Sequence, residues 1–516
     1  MTIVNLLKQA KYYSVIVDCT LDVSQEEQLA VVVRFVHLNP KTKKAEVREH
    51  FLGYFPVTGT TEEALATFLL DFLKSSKIEL DDMRGQGYMR GKKIGLPQKI
   101  LAINPRAFYV PYAAHSLNLV VIDAAKSSLE VVGFFCFVQE IYVFFSRSTS
   151  CWQTLMDQVP TLTLKPSSNT QWASKVEALK ALRFNMEKVY DALYSIFSDN
   201  ESECYIRNTA EALMLKLKSF NFICSVVTWY SILVEINTVS QTLQESDVVL
   251  PEAVKMMEQV KNDLATNRTD AAFDKMLLEA KSIAEELEWE TEFTSTPRQR
   301  PSKGFPISEH TDEQIEDLQN NLLDVTITEL NERFELLSEH NDNFSFLHNI
   351  EKWRKLEKGQ KRAQFSNLQQ KLTSKSGADI DGEDLVHELE LVPIDFRRET
   401  TPLDLLNYIY SNKMMLVFPN LSILLRIYLT LPVTVAEDER SFSKFKFVKD
   451  YLRSTLTQEG LANLAMISIE QDVAIDADDL IKDLAALRLE LQDCTVNDHI
   501  SQVSDSQVPL LFTDWE

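Results

Sequence analysis

The sequence predicts an α/β domain at the N-terminus followed by a long, mainly helical chain. Three segments rich in β-branched and aromatic residues follow one another before Pro56. From about Ser116 to Glu290, apolar residues recur every three or four positions, as in amphipathic helices. The 516 residues include only 12 Gly and 16 Pro, which leaves little low-complexity linker. A chain of this length is expected to form about two or three domains.

The first three predicted strands cover residues 12–18, which end at Asp18, then 28–37 and 46–55. Because they follow one another directly, we expect an antiparallel meander. A capping sequence at 60–63 begins a helix. The Gly-rich segment 78–93 should contain a strand and a helix start, and 107–114 a further strand before a helix from His115. This order of elements is that of a ribonuclease H-like α/β core.

The rest of the chain is divided by loops. Three prolines predict a loop at 291–310, helices resume at 312–372, and a polar, partly acidic loop follows at 373–383. We expect no calcium site in that loop, because Asp384 stands where an EF-hand needs Gly. The expected domains are a first part of the core (1–165), an α-helical insertion (166–400), core completion with dimerisation helices (401–475), and an acidic helix with a polar tail (476–516).

Charge and composition exclude several classes of protein. The net charge of −23 argues against broad nonspecific DNA binding, although 84–99 and 298–303 are basic and could be DNA-contacting segments or surface loops. Six scattered cysteines without a Cys-x-x-Cys pair indicate reduced thiols in a cytosolic or nuclear protein. We expect no secretory signal and no membrane partner, because no apolar stretch reaches the roughly 20 residues needed to span a bilayer; residues 131–145 indicate a buried helix.

Two acidic positions far apart in the chain are candidate metal ligands. Asp18 ends a predicted buried strand, and Glu439 lies in the run Glu437-Asp438-Glu439. In metal-dependent nucleases, carboxylates from distant parts of the chain gather around metal ions. The alternatives are that Asp18 is a turn residue and that the acidic run forms the first turn of a helix to Tyr451.

Four motifs, taken in order, resemble the hAT transposase superfamily, and in particular the zinc finger MYM-type protein 1-like group. They are Asp18-Cys-Thr-Leu-Asp, Ala114-His115-Ser-Leu-Asn118-Leu, Thr170-Gln171-Trp172 and Leu431-Pro-Val-Thr-Val-Ala-Glu-Asp-Glu-Arg-Ser-Phe-Ser-Lys. The segment 451–470 resembles the hAT C-terminal dimerisation region. The resemblance covers about 5–471.

The resemblance implies a ribonuclease H-like core split by a large α-helical insertion, with a C-terminal helical dimerisation segment. Active members cut and rejoin DNA with a divalent metal, Mg²⁺ or Mn²⁺. Asp18 matches the first catalytic Asp and Glu439 the catalytic Glu, and both would be metal ligands. The same resemblance implies DNA contacts for His115, Asn118 and Trp172, and for Gln171, which occupies the family's Arg position.

One departure from the family pattern decides the predicted chemistry. Relatives carry the second metal-binding Asp after the sequence that here is Gly85 to Tyr88, but Tyr88 runs directly into Met89-Arg90-Gly91. Asp81 and Asp82 precede this gap and are better explained as turn residues. With one ligand missing, the two-metal site is incomplete, so we expect no bound metal cofactor and no enzymatic activity. The family's zinc-finger DNA reader is also not found in this sequence.

We therefore predict a nuclear, transposon-derived and catalytically inactive protein that forms a homodimer and has weak association with DNA or chromatin, with no small-molecule substrate. Two alternatives stay open: an active metal-dependent transposase or nuclease with a rearranged second carboxylate, and a pure protein-interaction scaffold, which the negative charge favours. The predicted dimerisation residues are Phe442, Phe445, Leu452, Leu461, Leu464 and Ile467.

Overall fold

The computed structural model describes residues 3–21, 27–57, 61–88, 95–126, 128–159, 164–165, 172–245, 248–292, 312–393, 400–433 and 457–470. Within them a mixed five-stranded sheet near the N-terminus is followed by a mostly helical chain. The helices are α1 Ile3–Ala10, α2 Glu62–Ser75, α3 Leu96–Ile103, α4 Ala113–Ala125, α5 Leu129–Ser146, α6 Thr149–Gln158, α7 Trp172–Ser198, α8 Cys204–Leu217, α9 Phe220–Thr242, α10 Leu250–Asn267, α11 Asp270–Glu286, α12 Asp312–Phe344, α13 Ile350–Arg354, α14 Lys358–Lys371, α15 Gly382–Leu391, α16 Pro402–Ser411, α17 Pro419–Thr430 and α18 Gln458–Ile469.

The sheet contains β1 Tyr13–Leu21, β2 Glu27–Asn39, β3 Lys44–Val57, β4 Met83–Tyr88 and β5 Phe108–Tyr109, in the order β3-β2-β1-β4-β5. β2 is antiparallel to both β1 and β3, which confirms the predicted meander. β4 is parallel to β1 and β5 is parallel to β4, so only β2 runs against the other four strands.

The strand predicted at 107–114 is wrong in extent. β5 has two residues, and helix α4 already begins at Ala113. Pro111 supplies the reason, because a proline has no N–H with which to continue a ladder of backbone hydrogen bonds.

The two faces of the sheet are covered by different parts of the chain. On β1, Tyr13, Val15 and Val17 pack into one apolar cluster with residues of α1, α2 and α3. Ile16 lies on the opposite face and packs with residues of β2, β3 and α18. Because side chains alternate along a strand, Asp18 lies on the same face as Ile16. We call this the α18 face.

A second apolar cluster joins the sheet to the helices without interruption. It runs from Tyr12 and Val36 in the sheet region through Leu179 and Leu337 to Leu425 in α17. Residues on both sides of the predicted boundaries at 165 and 400 contribute to it, so the described chain has a continuous apolar core there. The boundaries themselves stay predictions.

Edge strand β3 is closed by side chains from the C-terminal part of the chain. The Ala45 amide donates to Asn407 Oδ1 at 2.6 Å, and the Phe51 amide donates to Glu470 Oε1 at 2.6 Å. Gln458 Nε2 donates to the Tyr54 carbonyl at 2.9 Å. An open edge strand exposes a row of unpaired backbone groups, and residues more than 360 positions away in sequence satisfy three of them here.

The predicted polar loop at 373–383 is partly wrong. It contains a short hairpin, β6 Thr373–Ser374 and β7 Gly377–Ala378, and Asp379 follows it. The Asp379 carboxylate accepts hydrogen bonds from Arg84 Nε and Nη2, both at 2.6 Å, and from Arg106 Nη1 at 3.1 Å. The side chains of Arg84 and Asp379 are only 1% and 5% exposed. Asp379 therefore belongs to a buried ion-pair network that ties the hairpin to the sheet.

Asp381, two residues further on, caps helix α15. Its Oδ1 accepts hydrogen bonds from the amides of Glu383 and Asp384 at 2.9 and 3.0 Å. Asp379 and Asp381 are thus both engaged by other groups of the protein.

Two described helices, Leu129–Ser146 and Phe220–Thr242, are long and apolar enough to cross a membrane by length and composition alone. On that test, the expectation that no stretch is long enough is wrong. The two helices pack against each other through the ring pairs Phe135–Trp229 and Phe137–Phe222. Roughly half of each helix is buried inside the protein, as in core helices. The helix predicted at 131–145 is confirmed as α5.

Candidate functional site

Asp18 lies near the end of β1 with its side chain only 2% exposed. Its Oδ1 accepts a hydrogen bond from the Cys19 amide at 2.7 Å. In the parallel pairing with β4, Val17 lies opposite Tyr88, the last residue of that strand, so Asp18 follows directly after the last pair of the two strands. The second carboxylate of the resembled family is expected just after Tyr88. Residues 89–94, where the deletion was inferred, lie outside the described residues.

Gly85 and Gly87, which precede Tyr88 in β4, are required by close packing on the α18 face. A Cβ on Gly85 would lie 2.1 Å from Ser14 Oγ, and a Cβ on Gly87 would lie 2.3 Å from Tyr112 Cε1. Real Cβ atoms do not approach other atoms so closely, since protein interiors are packed as tightly as organic crystals. The glycines therefore allow Ser14 and Tyr112 to rest directly on β4.

Gln86 and Tyr88, which alternate with these glycines along β4, lie on the opposite face of the sheet. Gln86 Nε2 donates to the Ala107 carbonyl at 2.9 Å, and Tyr88 Oη donates to Gln86 Oε1 at 2.9 Å. All of these groups are buried. The Gly-Gln-Gly-Tyr sequence is therefore explained by packing and hydrogen bonding within the sheet, and it needs no phosphate ligand.

Asp81 and Asp82 lie at the opposite end of β4 from the point where the family's second carboxylate is expected. They lie in a 3-10 turn directly before β4, and Met83 pairs with Tyr13 at the start of β1. Tyr13 and Asp18 are five residues apart on β1, which at about 3.3 Å per residue is roughly 16 Å. Asp81 forms an ion pair with Arg106 instead, and this hydrogen bond lowers the pKa of the Asp81 carboxyl.

Glu439 lies outside the described residues, but both ends of the segment that carries it are placed on the α18 face. Before the segment, Pro432 lies beside β4, since a Cβ added to Gly85 would be 3.2 Å from Pro432 Cδ. After it, Gln458 Nε2 donates to Gln28 Oε1 at 3.1 Å. Gln28 pairs with Thr20, two residues beyond Asp18. The described residues on either side of 434–456 thus both contact the sheet face that carries Asp18.

The predicted DNA-contacting residues are only partly described. His115 and Asn118 lie in the first turns of α4, and Asn118 is half-buried. Strands β1, β4 and β5 are parallel, so their C-terminal ends lie at the same end of the sheet. Helix α4 follows β5 and therefore begins at this end, where β1 ends near Asp18. Trp172 begins α7, which packs against α4. Gln171 lies outside the described residues.

The predicted dimerisation residues fall into three groups. Leu461 is fully buried and packs against the residues of the α18 face, so it contributes to the protein's own core. Leu464 and Ile467 are 42% and 67% exposed on the outer side of α18. Phe442, Phe445 and Leu452 lie outside the described residues. At 3.6 residues per turn, positions 461 and 465 lie on one side of the helix, and positions 464 and 467 lie on the other side.

The first residue of the candidate basic segment at 84–99 is buried and therefore not part of an exposed basic patch. Arg84 is buried and bonded to Asp379, and Lys99 pairs with Glu63 at 3.1 Å. Among the residues that the structure describes, no group of three or more His, Cys, Asp or Glu side chains could hold a metal ion.

Sequence reasoning missed two residues that position this face, Gln458 and Glu470. They stand at the two ends of α18, where Gln458 bonds to β2 and β3 and Glu470 bonds to β3. The available signal was a pair of polar residues that bracket a short apolar helix. Their partners, some 400 positions earlier in sequence, could not be inferred from the sequence alone.

Two segments of the chain are similar to known protein families. Residues 1–92 match the family described as the ZMYM1/FAM200, RNase-like domain, and residues 382–473 match the hAT family C-terminal dimerisation region. The chain is therefore similar to a ribonuclease-like domain at its start and to a hAT dimerisation region near its end, which confirms the resemblance stated from its motifs. Helix α18 and the side chains that close β3 all lie within the second match.

Two curated proteins are similar to this chain over most of its length. The 52 kDa repressor of the inhibitor of the protein kinase from Homo sapiens is 24% identical over 513 residues, and its Mus musculus counterpart is 23% identical over 514. Each alignment covers 92% of this chain, which spans 63% and 64% of the length of these relatives.

Proposed function

We propose that this chain is a transposon-derived protein that has lost DNA-cutting chemistry and acts in the nucleus as a homodimer. Helix α18 is the observation that carries the proposal. It lies in the region matched to hAT dimerisation, its inner residue Leu461 is fixed to the sheet, and Leu464 and Ile467 are presented outward. The relatives are named as repressors, which supports a nuclear role.

The strand order supports a ribonuclease H-like core as part of this proposal. A sheet ordered β3-β2-β1-β4-β5, in which only β2 runs against the rest, is the arrangement that the resemblance implies. In this proposal α16, α17 and α18 complete the core, and helices α7 to α15 form the insertion. Asp18 and Glu439 are then remnants of the metal site.

Purified protein is expected not to cleave DNA. Without the carboxylate after Tyr88, two metal ions lack a shared ligand, and neither the attacking water nor the leaving oxygen is stabilised. The measurement is nicking of a labelled DNA hairpin with Mg²⁺ or Mn²⁺, with Asp18→Asn as the matched control. The wild type and this variant should give the same background. Metal-dependent nicking that disappears in Asp18→Asn would instead establish the active-enzyme alternative.

Self-association is expected to depend on the outer face of α18. Burying two apolar side chains contributes about 3 to 6 kcal/mol, so Leu464→Asp with Ile467→Asp should raise the dimer dissociation constant at least about 100-fold. Sedimentation velocity at micromolar concentration measures it. Leu278→Asp on α11 is the control, because Leu278 is 68% exposed and Ile467 is 67% exposed.

A dimer that survives the double substitution would remove α18 from the interface. A chain that is monomeric at every concentration, and that dimerises once residues after 470 are deleted, would show that its own C-terminal segment covers this face.

The net charge of −23 favours a second candidate, a protein-interaction scaffold without DNA contact. The two functions differ in the effect of salt. DNA association through phosphates weakens steeply as salt rises, because counterions are released on binding. Fluorescence anisotropy with a DNA duplex at two salt concentrations separates them, since a scaffold gives no salt-dependent binding.

A further inference from the structure

Helix α18 is attached to the sheet by polar contacts at both of its ends. At its start, Gln458 Nε2 donates to Gln28 Oε1 at 3.1 Å and to the Tyr54 carbonyl at 2.9 Å. At its end, Glu470 Oε1 accepts the Phe51 amide at 2.6 Å, while Glu470 Oε2 lies 2.7 Å from His50 Nδ1. Three of these four contacts are made to edge strand β3.

The apolar attachment between these ends is small. Leu461 and Ala465 are the two α18 residues that are fully buried, and Met466 and Ile469 are partly buried beside them. A helix of 12 residues is marginal in water on its own. The helical form of α18 therefore depends on its packing against the sheet, and we call this packed position of α18 the seated state. Elements with few buried contacts are those that open locally at low free-energy cost.

Opening of α18 would expose the edge of the sheet. The Phe51 amide would lose Glu470 and the Tyr54 carbonyl would lose Gln458, so this stretch of the β3 edge would be uncovered. The outer residues Leu464 and Ile467 form one surface only while α18 is helical and seated. A partner that binds this surface consequently binds the seated state alone, and binding to one state of an equilibrium stabilises that state.

We propose that α18 links self-association to closure of the sheet edge, so that a second copy of the chain locks α18 onto β3. This rests on the proposed homodimer and adds its consequence for the fold. In the monomer α18 opens and closes on β3, and in the dimer it stays closed. One side of α18 carries the proposed dimer surface, and its other side packs on the sheet face that carries Asp18.

Amide hydrogen exchange of the full chain tests the link directly. Peptides from β3 and α18 should exchange about tenfold more slowly well above the dimer dissociation constant than well below it. Peptides from α11 serve as the internal control and should exchange equally at both concentrations. Equal exchange of β3 in monomer and dimer overturns the link.

A substitution away from the outer face provides a second test. Glu470→Gln weakens the contacts to His50 and Phe51, lowers the seated fraction of α18, and should raise the dimer dissociation constant about tenfold. Glu459→Gln makes the same chemical change at an exposed position of the same helix and should leave it unchanged. Equal dissociation constants for both variants and the wild type overturn the link.

These outcomes are distinguishable from failure of the proposed function. If Leu464→Asp with Ile467→Asp leaves the dimer intact, the proposed interface is wrong. If that variant dissociates while β3 exchange does not respond to dimerisation, the interface stands and only the coupling fails.

Discussion

Replacing Asp379 by alanine is expected to destabilise the folded protein by about 3 to 5 kcal/mol. The substitution removes the carboxylate that accepts three hydrogen bonds from Arg84 and Arg106. Arg106 retains Asp81, but Arg84 is left with backbone carbonyls and the face of the Tyr12 ring, 5.0 Å away. A guanidinium that is 1% exposed and has no counterion carries a large desolvation cost.

The measurement is the midpoint of urea unfolding, followed by tryptophan fluorescence, with Asp384→Ala as the control. Asp384 is an exposed residue in the first turn of α15, close to Asp379 in sequence, and its loss changes the net charge equally. Its effect should stay within about 0.5 kcal/mol. The double substitution Arg84→Met with Asp379→Leu should recover part of the loss, because replacing both partners removes the unpaired charge. A loss below about 1 kcal/mol for Asp379→Ala would contradict the burial of the network.

Gly87→Ala should destabilise the protein by about 3 kcal/mol, at the upper end of the usual cost of overpacking. The added Cβ would lie 2.3 Å from Tyr112 Cε1 and 2.7 Å from Tyr112 Oη. Tyr112 is 1% exposed and packs among residues of the α18 face, so its ring has no free space into which to move. Either β4 or the ring must shift, and both positions lie close to Asp18.

Gly133→Ala is the matched control for this substitution. A Cβ on Gly133 meets nothing within 4 Å, and the residue lies inside α5, where alanine is favoured over glycine by up to about 1 kcal/mol. The same chemical change should thus stabilise one site and destabilise the other. Tyr112→Leu should relieve most of the Gly87→Ala cost, giving a strongly non-additive double variant. Equal effects of the two glycine substitutions would contradict the packing of Tyr112 on β4.

Local patterns in the sequence predicted much of the fold because their causes are local. Alternating β-branched residues predicted the meander, which β1, β2 and β3 form. The capping sequence predicted α2, where Thr61 accepts the Ala64 amide at 3.3 Å. The strand expected at 107–114 fails after Tyr109, because the apolar pattern continues through Pro111 while the backbone pairing cannot.

Charged residues were interpreted less well, since their partners are distant in sequence. Arg84 was placed in a basic segment and Asp379 in an acidic loop, yet they are separated by 295 positions and neutralise each other inside the protein. Leu461, Leu464 and Ile467 all fit one apolar dimerisation pattern in sequence. Packing against the sheet buries the first and leaves the other two exposed.

By itself, the sequence determined the order of strands and helices, the family resemblance, and the break after Tyr88 where a carboxylate is expected, because each of these is written in consecutive residues. Only the tertiary structure decided that Val17, next to Asp18, pairs with Tyr88, that β3 is closed by Gln458 and Glu470, and that α18 packs one side on the sheet while Leu464 and Ile467 on its other side are exposed. The physical reason is that backbone pairing, burial and counterion contacts join residues hundreds of positions apart, and their geometry exists only once the chain has folded.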